Sequence, residues 1–123
     1  MPENKQIVYV LTNPAMPGLI KIGKTTQNEI ESRMKQLYSS GVPVPFECVY
    51  ACNVKDSGKV EQSLHFAFGE NRINPNREFF KIDPERVIAI LKLLKVDEIT
   101  NEVEKVIDKE IEDIDQASGE KLK

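Results

Sequence analysis

Hydrophobic and polar positions divide the front of the chain into short, sharply bounded runs. Residues 7–11 (Ile-Val-Tyr-Val-Leu) and 19–22 (Leu-Ile-Lys-Ile) are apolar and rich in β-branched side chains, and Asn13, Pro14, Pro17 and Gly18 break the chain between them. That pattern predicts a β-hairpin. Side chains alternate faces along a strand, so Val8, Val10, Ile20 and Ile22 are expected on the core side and Tyr9 and Lys21 on the other. Pairing Val10 with Ile20 sets Tyr9 opposite Lys21, with Gly23 two residues on keeping that face open. A cation beside a tyrosine favours the phenolate and lowers its pKa, one way to make a base.

The pattern then changes to a helical period. Thr25-Thr26-Gln27-Asn28 offers a helix start, Glu29 and Glu31 suit the positive end of the dipole, and Ile30, Met34, Leu37 and Tyr38 form a stripe that stops at Gly41. Arg33 falls within or beside that stripe. Its planar fork suits a phosphate, and an arginine whose stem packs while its head reaches water explains the position too. Val42-Pro43-Val44-Pro45 forces extended chain into a third strand over residues 46–52. The expected fold class is therefore α+β, a small three-stranded antiparallel sheet flanked by helices, with further helices at the C-terminus.

Residues 59–68 predict a helix with Val60, Leu64, Ala67 and Phe68 inward. Glu61 stands at the edge of that face, and His65 follows one turn later on the same side. A carboxylate against apolar packing is costly unless it meets a cation or a metal. Lys24, Lys59 and Arg33 are the protein cations that could serve. Residues 71–77 form a loop with two cations, Arg72 and Arg77, and three amides, a composition suited to contacts with a nucleic-acid backbone. Glu78-Phe79-Phe80-Lys81-Ile82 reads as a last short strand or turn. Asp83-Pro84 opens a strongly apolar helix through Val87, Ile88, Ile90, Leu91 and Leu94. A final helix, from about Asp97 to Gln116, carries a stripe of Ile99, Val103, Val106 or Ile107, Ile111 and Ile114. That stripe either folds back on the core or mediates self-association.

Composition narrows the setting. A chain of 123 residues suits one core, here divided into a domain over residues 1–96 and an acidic helix and tail over residues 97–123. No apolar run approaches a membrane span, no signal-peptide pattern opens the chain, and Cys48 and Cys52 would stand ~13 Å apart on a strand, too far for a bridge. A reduced, cytoplasmic setting with no membrane partner is the expectation. The net charge of -3 conceals an asymmetry: residues 1–96 hold 13 Lys and Arg against 10 Asp and Glu, and residues 97–123 hold 4 against 10. A mildly basic front half suits a polyanion.

Val8-Tyr9-Val10 and Lys21-Ile22-Gly23-Lys24-Thr25, followed by Arg33, Glu61 with Leu64-His65, and Arg77-Glu78-Phe79-Phe80, resemble the GIY-YIG nuclease superfamily. The likeness is to the phage and bacterial branch that writes Lys-Ile-Gly in place of Tyr-Ile-Gly, and it covers roughly residues 5–82. It implies an endonuclease that hydrolyses DNA phosphodiesters at a single Mg²⁺ or Mn²⁺ held by Glu61. It also implies a phosphate clamp at Arg33 and a general base, either Tyr9 with its pKa lowered by Lys21 or Lys21 itself in deprotonated form; Lys24, Arg72 and Arg77 are the cations expected to contact DNA phosphates. His65 either assists at the phosphate or only packs, and Asn74 or Asn76 stands near the place of an asparagine found in several relatives. The alternative is a DNA-binding module of the same fold that does not cut.

Overall fold

Gln6–Thr12 (β1) is the central strand of a five-stranded antiparallel sheet, with Leu19–Thr26 (β2) on one side and Glu47–Val54 (β3) on the other. The short strands Phe79–Lys81 (β4) and Asp97–Glu98 (β5) flank these, giving the order β4-β2-β1-β3-β5. The computed structural model describes residues 5–39, 46–73 and 78–122, with side chains up to Leu37 in the first stretch and Ile111 in the last. Four helices complete it: Ile30–Ser39 (α1), Ser57–Ala67 (α2), Pro84–Leu94 (α3) and Thr100–Leu122 (α4). The class agrees with the α+β expectation, but the sheet has five strands rather than three. Of the two added edge strands, Phe79–Lys81 falls where the sequence suggested a short strand or turn, whereas Asp97–Glu98 is two exposed acidic residues with no hydrophobic pattern.

Both faces of the sheet are covered. Leu64 and Phe68 from the α2 region and Val87, Ile88 and Leu91 of α3 pack on Val8, Val10, Ile20, Ile22, Tyr50, Cys52 and Phe80. On the opposite face, Ile30 and Met34 of α1 and Val103 and Ile107 of α4 pack on Tyr9, Leu11, Cys48 and Ala51. This explains the unbroken apolar run 7–11, since a strand buried on both sides has no solvent register to keep polar. Tyr9 is 0% exposed, so its face is closed by α1 and α4 rather than open. The α4 stripe folds back on the core as far as Ile111, with Ile99, Val106 and Ile111 beside the same cluster, and the side chain of Ile114 lies outside the described residues. Ala67 is exposed and Leu94 is 46% exposed, so neither joins the core as expected.

The hairpin register differs from the expected one by two residues. Val10 pairs with Ile22, Tyr9 with Gly23 and Leu11 with Lys21. Two consecutive turns account for the shift. Met16 N donates to Asn13 O (2.9 Å), and Leu19 N donates to Met16 O (3.2 Å) across Pro17-Gly18. Gly18 has φ +83°, the conformation that a Pro-Gly turn of type II demands of its second central residue. A shift of two preserves the faces, so Tyr9 and Lys21 still share one, as diagonal rather than opposed neighbours.

A β-bulge interrupts the pairing of β1 with β3: Val10 pairs with Tyr50 and Leu11 with Cys48, leaving Val49 as the extra residue. Cys48 therefore faces the α1–α4 cluster and Cys52 the α2–α3 cluster, and both thiols are free and buried. Gly41 and Val42–Pro45, Asn74, Asn76 and Arg77 lie outside the described residues. No helix among those described is long and apolar enough to cross a membrane.

Candidate active site

The ladder between β2 and β4 runs only from Leu19 to Lys21, and what takes over beyond it builds the site. Ile22 N donates to Glu78 O (3.2 Å), and His65 Nε2 lies 3.2 Å from Ile22 O. A carbonyl only accepts, so Nε2 carries the proton and Nδ1 is left for other chemistry. His65 thus continues the edge of the sheet where β4 stops, and its ring lies 5.1 Å from that of Phe80. The helix that brings it is fixed at its start. Asp56 caps α2 by accepting from Lys59 N (3.1 Å), and Gln6 Oε1 on β1 accepts from Ser57 N (2.7 Å) and Ser57 Oγ (3.1 Å).

Glu61 lies one turn before His65 and is 8% exposed, with Oε2 buried and unpartnered. Loss of solvation raises its carboxyl pKa, the nearby charge of Glu78 raises it further, and His65, Lys24 and Arg33 oppose the rise. Among the described residues, none of the cations that the sequence offered closes an ion pair with it. The salt bridge at this edge is instead Lys21 Nζ to Glu78 Oε2, at 3.2 Å.

Tyr9 reaches the same edge from the other face. Arg33 Nε donates to Tyr9 Oη at 3.3 Å, so the cation at this phenol is Arg33 and not Lys21, which pairs with Glu78 and sits 5.2 Å from the Phe79 ring centroid. Burial raises the Tyr9 pKa above 10.0 despite Arg33, the reverse of the lowering expected from a cationic neighbour. Tyr9 is therefore a neutral phenol at ordinary pH and does not fit the role of base. The hydrogen bond to Tyr9 in turn raises the Arg33 pKa, keeping that guanidinium charged. Glu78 and Glu61 both act on Tyr9 and on Arg33, and Glu78 and Arg33 both act on Glu61, which gathers these groups around the middle of β2.

Among the described residues no group of three or more His, Cys, Asp or Glu could hold an ion, so a cage built wholly from side chains is not found there. A hard divalent cation needs fewer protein ligands than such a cage. Such ions take oxygen, keep several waters, and need only one or two carboxylates beside substrate phosphates; the unpartnered oxygen of Glu61 is a donor of that kind.

The T5orf172 domain profile matches residues 6–95. The chain belongs to the T5orf172 domain family. This corrects the GIY-YIG assignment, which no family match supports. The two short motifs behind that assignment both depart from their pattern, with Val8-Tyr9-Val10 for Gly-Ile-Tyr and Lys21-Ile22-Gly23 for Tyr-Ile-Gly. No curated protein and no solved structure matches the chain. The T5orf172 domain is associated with nuclease and DNA-binding functions, and its matched span contains every residue named at the β2 edge.

Of the residues chosen from this T5orf172 sequence, the fold brings Tyr9, Arg33, Glu61 and His65 to one place. Lys21 is drawn off by Glu78. Lys24 is exposed beside the start of α2, its Nζ 3.6 Å from where a Cβ on Gly58 would stand. Arg72 lies 5.7 Å from the Phe80 ring centroid, on the ring that His65 also touches. Two residues act differently from their place in the sequence. Glu78 pairs with Lys21 and raises the Glu61 pKa through space, and Gly23, expected to keep the Tyr9 face open, instead makes room for the Tyr9 ring on a covered face.

Proposed function

We propose that this T5orf172 protein is a metal-dependent DNA endonuclease that hydrolyses phosphodiester bonds at a single divalent-ion site. The observation that carries it is Glu61, a buried carboxylate with an unpartnered oxygen, one turn from a histidine of fixed tautomer and near the charge of Arg33. Glu61 would hold Mg²⁺ or Mn²⁺, which when bound offsets negative charge on the phosphate and on the leaving oxygen. Arg33, held through Nε by Tyr9, turns its remaining N–H groups to a non-bridging phosphate oxygen. The neutral Tyr9 hydroxyl fixes the guanidinium. His65 presents Nδ1 to take a proton from the attacking water, with Nε2 anchored on Ile22. Lys24 beside the start of α2 and Arg72 beside Phe80 contact neighbouring phosphates.

The test is incubation of supercoiled plasmid with Mg²⁺ or Mn²⁺, using wild type, Glu61→Ala and Arg33→Ala. Nicking by wild type should vanish in Glu61→Ala and fall about 10²- to 10³-fold in Arg33→Ala, the usual loss of one electrostatic donor. Nicking that persists in both overturns the assignment. Salt-sensitive binding without nicking by wild type selects the non-cutting DNA-binding module instead.

A further inference from the structure

Helix α2 carries Glu61 and His65 on its inner side, and its outer side has a composition of its own. Its exposed residues are Lys59, Gln62, Ser63, Phe66 and Ala67: a cation, an amide, a hydroxyl, an aromatic ring and a methyl. The single carboxylate of the helix, Glu61, is turned inward. Phe66 is 90% exposed, whereas Phe68, two residues later, is 7% exposed and Phe80 is fully buried. Burying a phenylalanine side chain is worth roughly 1.5–3 kcal/mol, and the fold leaves this one in water. Lys59 and Phe66 are seven residues apart, so they stand two turns apart on one side of the helix, about 10 Å along its axis.

Charge is distributed to match. Around α2 the exposed cations Lys24, Lys55 and Lys59 outnumber the exposed acids Asp56 and Glu70, while α4 in the opposite layer exposes Glu102, Glu104 and Asp108 against Lys105 and Lys109. A polyanion is drawn to the α2 side. An apolar protein partner would need a wider apolar patch than one ring and the Ala67 methyl among Lys59, Gln62 and Ser63. A nucleobase needs only the ring. In duplex DNA both faces of a base are covered by its neighbours, so a stacking platform selects bases that are unpaired.

We propose that the outer face of α2 binds unpaired DNA, with Phe66 stacked on a base beside the phosphate that enters the β2 edge. The substrate class is therefore single-stranded, flapped or frayed DNA rather than continuous duplex. This rests on the endonuclease reading above, and its test needs no cutting.

The chain has no tryptophan, so Phe66→Trp installs a single reporter on an exposed site where folding is not at risk. In chelator at low salt, emission from the introduced indole is quenched by a single-stranded oligonucleotide and not by the same sequence as a blunt duplex. Phe66→Ala weakens single-strand binding about 5- to 150-fold, which is 1–3 kcal/mol at 1.4 kcal/mol per factor of ten. Phe66→Tyr restores it, and duplex binding is unchanged throughout. Equal quenching by both DNAs, or single-strand binding that ignores Phe66→Ala, overturns this inference while leaving plasmid nicking intact. Absence of any DNA binding overturns it together with the endonuclease reading. A change of oligomeric state in Phe66→Ala at constant DNA affinity overturns it in favour of a protein contact.

Discussion

Tyr9 lies directly across Gly23: a Cβ placed on Gly23 would stand 2.5 Å from both Cζ and the hydroxyl oxygen of the tyrosine. The two are opposed residues on adjacent strands, and Gly23 does not have positive φ, so the glycine serves close approach rather than backbone freedom. Gly23→Ala should push the ring aside and release Arg33. We expect a loss of about 1–3 kcal/mol in stability, as for overpacking elsewhere. Plasmid nicking should fall as far as in Arg33→Ala. Urea unfolding and the nicking assay check the two halves separately.

Glu61 should make stability depend on pH in a characteristic direction. Its folded pKa is raised above the ordinary 4.5, chiefly by burial. The folded state therefore holds this proton more tightly than the unfolded chain does. The resulting stabilisation is full below about pH 4 and is lost as pH rises through the raised folded value. Glu61→Gln removes that loss, so the variant should melt a few degrees higher than wild type at pH 7 and converge with it near pH 4. Added Mn²⁺ should raise the wild-type melting point and leave Glu61→Gln unmoved, because a ligand that binds the folded state through this carboxylate raises the midpoint.

Lys21 and Glu78 form a pair whose side chains are 13% and 26% exposed, sheltered enough for its loss to register. Lys21→Met should destabilise by about 1–3 kcal/mol, since it leaves a sheltered carboxylate unpaired. The double variant with Glu78→Gln should recover part of this, giving a coupling of about 0.5–3 kcal/mol in a double-mutant cycle. Glu78 also raises the Glu61 pKa, so Lys21→Met should move the pH dependence of stability to higher pH.

What the sequence made legible follows from where its periodicities are strong. The hairpin, α1, the third strand, α2 and α3 all show in runs of β-branched residues or in helical stripes; Arg33, Glu61 and His65 stand beside those stripes, but the roles expected of them came from the GIY-YIG resemblance. The hairpin register was not legible, because Met16-Pro17-Gly18-Leu19 forms a second turn that lengthens the loop by two residues. The state of Tyr9 was misread for a related reason. Alternation implied an open face, but α4 returns from the far end of the chain to cover it. The anchor of His65 is a backbone carbonyl, that of Ile22, which no side-chain pattern records.

The family match ends at residue 95, and the packing does not. Val103 and Ile107 are 1% and 3% exposed in the cluster that contains Tyr9. Thr100 joins the helix start to β3, accepting from Ala51 N at 3.1 Å. Ile107→Ala should cost about 2–5 kcal/mol, measured by urea unfolding. A chain cut after residue 96 should lose its cooperative transition altogether, because the Tyr9 face would lie open to water.

The bulge at Val49 has a practical consequence for anyone handling the protein. It sends the two sulfur atoms to opposite sides of the sheet, and burial pushes the Cys48 pKa to about 12 and that of Cys52 to about 11. Thiolate, the reactive form, is then scarce at neutral pH. Folded protein should leave a maleimide or an aromatic disulfide reagent unconsumed, and denaturant should make both sulfurs titratable at once. The molecule thus contains its own chemical gauge of unfolding, and a single cysteine added on its outside could be tagged without first removing the native pair.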